Sequence, residues 1–132
     1  MTFDEAIALQ PVWVGYWLNV LLLGAFILPA LLVFWKESRL TGIITLATSA
    51  LSAAGVMWIF SELGYVKLMG LSHVVFWTPL VFFLFGKARQ ENMPAWPRRI
   101  IWVVIIVLLI SLAFDYVDVA RYFLGEREPF IA

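Results

Sequence analysis

Asn19, Glu62, His73, Asp115 and Asp118 are the residues of this chain whose types can do chemistry inside apolar surroundings. An imidazole beside a carboxylate can hold a proton or a cation near neutral pH. Ser111, Asp115, Asp118 and Tyr122 recur at spacings of four, three and four, so a helix lines them up on one face. An acidic side chain within a lipid-crossing helix is costly unless it meets a partner or water, so that face is expected to turn inward. His73 and Asp115 are the expected proton- or cation-binding pair. Asp118 and Glu62 would form its vestibule, and Asn19 would supply an orienting hydrogen bond.

The same side chains define a metal alternative. His73, Asp115, Asp118 and Glu62 offer the nitrogen and oxygen donors that suit zinc, manganese or iron. Against it, His-x-x-x-His spacing is absent, and ligands supplied singly by separate helices leave no sequence signature. Ser72 or Ser111 with His73 and Asp115 lacks the nucleophile elbow and oxyanion donors of a hydrolase. A lone histidine permits bis-histidine haem ligation only between subunits. The chain has no cysteine, which excludes disulfides, thiolate metal sites and thiol catalysis. Glycine-rich phosphate loops are missing too, so no catalytic residue and no cofactor is assigned.

The elements that position these groups follow from composition. Of 132 residues, 64% are hydrophobic and 14% charged, whereas soluble domains use about 45–50% and about 25%. Four apolar segments, about 11–35, 40–63, 66–85 and 100–122, each approach the roughly 20 residues that a membrane-spanning helix needs. The expected fold is all-α: an integral membrane four-helix bundle in one domain, with short loops and both termini on the same side. Residues 86–99, with two prolines and mixed charge, read as a loop. Thr2 and Glu5 resemble a capping box, and with Phe3, Ile7 and Leu9 they suggest an interfacial helical turn over residues 1–10.

Charge orients the bundle. Lys36, Arg39, Lys87, Arg89, Arg98 and Arg99 flank the first and third connections, against Lys67, Arg121 and Arg127 on the other side. The positive-inside rule therefore puts those connections in the cytoplasm and the termini outside, in a bacterial inner (plasma) membrane. Trp13, Tyr16, Trp17, Trp35, Trp58, Tyr65, Trp96 and Trp102 fall at the assigned interfaces. Counting about 1.5 Å per residue from these markers, Asn19 and Asp115 lie about 9 Å deep, His73 about 12 Å and Asp118 about 4–5 Å. All belong to the outer half.

The spans differ in character. Span two carries Thr41, Thr45, Ser49, Ser52 and Gly55 in small-residue rows, which predicts a central position. Span three is rich in aromatic residues. Pro29 and Pro79 predict kinks, with Thr78 available to satisfy a freed carbonyl. The run Ile100 to Val107 predicts a lipid-facing half of span four. Zero net charge without a basic stripe argues against nucleic acid as partner. The expected partners are the lipid bilayer and either further copies of this chain or other membrane subunits, because so short a chain encloses little interior. Transport or coupling through an outward-facing polar cavity is the leading expectation. A structural accessory subunit and a metal- or cofactor-dependent membrane enzyme are the alternatives.

Overall fold

Apolar runs of this length satisfy their backbone groups internally only as helices, and helices are what the computed structural model contains. It describes Glu5, Ala8 and residues 12–63 and 70–125. The expected interfacial turn, the second connection with Tyr65 and Lys67, and the tail with Arg127 lie outside the described residues. Among those described, four helices are long and apolar enough to cross a membrane: α1 Val12–Leu32, α2 Arg39–Leu63, α3 Gly70–Ala88 and α4 Ala95–Phe123. The protein is an all-α, integral membrane four-helix bundle.

α1 is not a uniform helix. It is α-helical over Val12–Leu22, widens to a π-turn over Leu23–Ile27, and resumes as α-helix over Leu28–Leu32. The amide of Leu28 donates to the Leu23 carbonyl, five residues back. Pro29 is the cause: it has no amide for the Ala25 carbonyl and its ring crowds that turn, so the preceding turn widens. The helix ends before Trp35. Ser38 Oγ donates to the Leu32 carbonyl at 2.7 Å and Arg39 Nε to the Val33 carbonyl at 3.0 Å, capping carbonyls that the helix end leaves unpaired.

The loop expected over residues 86–99 shrinks to Arg89–Pro94. α3 continues through Gly86 to Ala88, and α4 begins at Ala95 with Pro94 as its N-cap residue. Proline marks a loop in sequence, but in a first helical turn the missing amide has no intrahelical partner to lose, so Pro97 is accommodated. At 29 residues α4 is about 43 Å long, more than the hydrocarbon thickness of about 30 Å.

Each helix packs on two neighbours, in the cyclic order α1, α2, α3, α4. The α3–α4 contact is the most extensive. Span two is thus not central, although its small residues Thr41, Gly42, Thr45, Ser49 and Ser52 are buried against the adjacent helices. The β-branched start of α4 is not uniformly lipid-facing either. Ile101, Val104, Ile105, Leu108, Ser111 and Leu112 form its buried stripe, whereas Val103, Ile106, Leu109 and Ile110 are exposed. The spacing of three and four is that of a packed helix face, and a run apolar all round hides its phase.

Leu32, Leu84, Ile101, Ile105 and Leu108 anchor the core. Exposed apolar side chains such as Phe34, Phe82 and Leu109 cover the outside, where the bilayer solvates them. The second half of α1, from Leu23 onward, rests on both α2 and α4. Its first half, Val12–Leu22, buries no residue and leans on α4, with Trp13 and Trp17 each 6.4 Å from the Phe114 ring. The two leading helices therefore splay toward the end where α1 begins.

Candidate functional site

α3 and α4 approach closely where α3 begins. Gly70 permits this: a Cβ there would stand 2.9 Å from Asp115 Oδ1 and 3.2 Å from Asp115 Cα. One turn further along α3, His73 Nδ1 lies 3.0 Å from Asp115 Oδ2. Ser111, one turn before Asp115 on α4, donates its hydroxyl to the same oxygen at 3.3 Å. The side chains of His73 and Asp115 retain 19% and 14% exposure. The pair is inside the bundle without being sealed.

A carboxylate that accepts two hydrogen bonds is served best as the anion, and an anion can only accept. The imidazole therefore donates through Nδ1, and in the neutral ring Nε2 is the acceptor. No hydrogen bond to Nε2 occurs among the described residues. The other face of the ring is fixed as well. His73 stacks on Trp77 with centroids 4.2 Å apart and planes 7° from parallel, and the Trp77 indole donates to Ser49 Oγ on α2 at 3.3 Å. Trp77 itself is buried. Ser72 donates to the Ser52 carbonyl at 2.6 Å, and Gly55 lies against Ser72 where a Cβ would collide with its hydroxyl. Three helices thus hold one imidazole.

The polar residues expected around this pair divide. His73 and Asp115 meet, as their depths implied. Asp118 lies one turn beyond Asp115, partly buried. Glu62 is exposed near the end of α2, and Asn19 is exposed on α1. Asn19 does not orient the pair; Ser111 does. The reason is helix phase: Leu18, Leu21 and Ala25 share the inward face of α1, and position 19 falls about 100° from position 18. Among the described residues, no three His, Cys, Asp or Glu side chains converge to hold a metal ion. Thr78 also departs from expectation: its hydroxyl meets Tyr116 Oη at 2.7 Å, between α3 and α4.

Sequence reasoning missed Trp77, Ser49 and Gly70 as parts of the site. The four-residue step from His73 to Trp77 was a signal for the stack. Nothing local could pair Ser49 with Trp77.

A cavity of about 180 Å³ adjoins His73 in the splay between α1 and α2. This cavity is apolar. Leu18, Leu21, Leu22, Ala25 and Phe26 of α1 face Ala53, Val56 and Met57 of α2, with His73, Trp77 and Ser49 completing the wall. Leu22, Ala53 and Met57 are also exposed on the outer surface, so the cavity opens sideways. Comparison of the chain with protein-family models, curated proteins and solved structures finds no match.

Proposed function

We propose that this chain is a membrane-embedded binding protein, acting in transport or as a coupling subunit of the bacterial inner membrane, with the His73–Asp115 pair as its binding group. One observation carries the reading: Asp115 holds His73 through Nδ1, and His73 also lines a cavity. A histidine serving only to join two helices gains nothing from bordering open space. The apolar lining favours a proton or a neutral small ligand over a bare cation, which would enter without compensation for its lost hydration. The charge bias of the flanking residues puts the site in the non-cytoplasmic leaflet.

A structural accessory role has its own support in the outer half of α1, Val12–Leu22, which buries no residue within the chain. That surface can take a second copy or another subunit as readily as lipid. Native mass spectrometry of the gently extracted protein separates the readings. Binding predicts a retained small-molecule mass, on a homo-oligomer or a mixed complex, that disappears in His73→Phe. A stoichiometric foreign subunit whose retention ignores His73, with no retained small molecule, makes the chain an accessory subunit and ends the binding proposal.

A further inference from the structure

The geometry points to a ligand class: we propose that the cavity beside His73 binds a membrane-soluble compound with a ring-sized apolar body and a hydroxyl group, such as a phenol or hydroquinone head. The hydroxyl would donate to Nε2 of His73. This deepens the proposed function and rests on it.

Size is the first argument. An enclosed apolar cavity of about 150 Å³ accepts benzene; this one, open on its lipid side, holds about 180 Å³. That accommodates one substituted ring. Shape agrees, because Phe26 presents aromatic surface on the wall, which suits a flat ring in offset or edge contact.

Polarity narrows the class. Among the described residues no charged side chain lines the cavity, so an ionic ligand would lose its hydration without compensation. Ser49 Oγ already accepts from Trp77. His73 lines the cavity and Asp115 does not, so the nitrogen opposite Asp115 is the group left for an occupant. With the proton on Nδ1, that nitrogen accepts and does not donate. A hydroxyl satisfies it; a ketone or ether oxygen does not. The exposed rim of Leu22, Ala53 and Met57 allows entry from the bilayer, which concentrates such compounds.

The test uses the full-length protein in lipid nanodiscs with its single histidine ¹⁵N-labelled. Two probes of matched size are compared, 4-fluorophenol and 4-fluorotoluene, which differ by a hydroxyl in place of a methyl. ¹⁹F NMR reads binding above partition into protein-free nanodiscs. The expected result is that 4-fluorophenol binds about fivefold more tightly than 4-fluorotoluene, the worth of one net hydrogen bond. It shifts Nε2 while Nδ1 stays protonated. His73→Phe, which keeps a flat ring on Trp77, brings the two affinities together, and Ala53→Phe at the exposed rim weakens both.

Equal binding of the two probes in the native protein reduces the cavity to an apolar filler site and overturns the proposal. So does binding of neither, or binding that ignores Ala53→Phe. If Nδ1 is protonated and no probe binds, the ligand class is wrong while the binding function stands. If Nδ1 is not the protonated nitrogen, both fall.

Discussion

The Trp77 indole donates to Ser49 Oγ at 3.3 Å, tying the aromatic ring that carries His73 to the neighbouring helix. The floor of the site is thereby fixed from α2, although both residues of the stack belong to α3. Interhelical hydrogen bonds in membranes average about 0.6 kcal/mol and reach about 1.7. Ser49→Ala leaves a buried indole N–H unpaired and should cost about 1 kcal/mol. Ser52 is the control, since its buried hydroxyl has no partner among the described residues, and Ser52→Ala should cost nothing or stabilise slightly. Equilibrium unfolding in mixed micelles measures both, and equal costs would show that Trp77 is not held through Ser49.

Gly70→Ala should part α3 from α4. The added methyl meets the Asp115 backbone and carboxylate together, so neither side can yield cheaply. A loss of about 1–3 kcal/mol is expected from overpacking. The ¹⁵N signals of the single histidine should also lose their fixed-tautomer pattern. Unchanged signals would mean that the close approach at Gly70 does not position the pair.

Asp115→Leu removes the acceptor that His73 and Ser111 share. Taking away one partner of a buried pair leaves the other without its hydrogen bond. Stability should therefore fall by about 1–3 kcal/mol, while His73 loses its fixed Nδ1 proton and ligand retention disappears. Asp115→Asn keeps an acceptor for Nδ1 and should retain the tautomer. Histidine ¹⁵N NMR reads the first effect, and native mass spectrometry reads the loss of ligand. Ligand retained in Asp115→Leu would recast the pair as structural.

The phase of α4 can be checked with adjacent leucines. Leu108 is fully buried, whereas Leu109 keeps 43% exposure on the lipid side. Leu108→Ala should cost about 2–5 kcal/mol through lost packing and a new cavity. Leu109→Ala exchanges one lipid-solvated surface for another and should cost much less. Comparable values, measured by unfolding in mixed micelles, would reject the helix phase described above.

Composition and the length of apolar runs by themselves determined the four spans, because hydrocarbon leaves an unpaired backbone group no option except an internal hydrogen bond. They also marked His73 and Asp115 as residues that must meet something, since an ionisable side chain in lipid is costly alone. Depth counting brought the two to one level, as the 3.0 Å contact bears out. Other features were decided only by the tertiary structure. Asn19 lies at a comparable depth but on the wrong side of α1, because depth follows the count of residues and facing follows helix phase, which Pro29 perturbs through the π-turn. The start of α4 is apolar all round, so its sequence could not say which stripe is buried. The cavity arises from the divergence of α1 from α2, a property of how whole helices pack and of no residue alone.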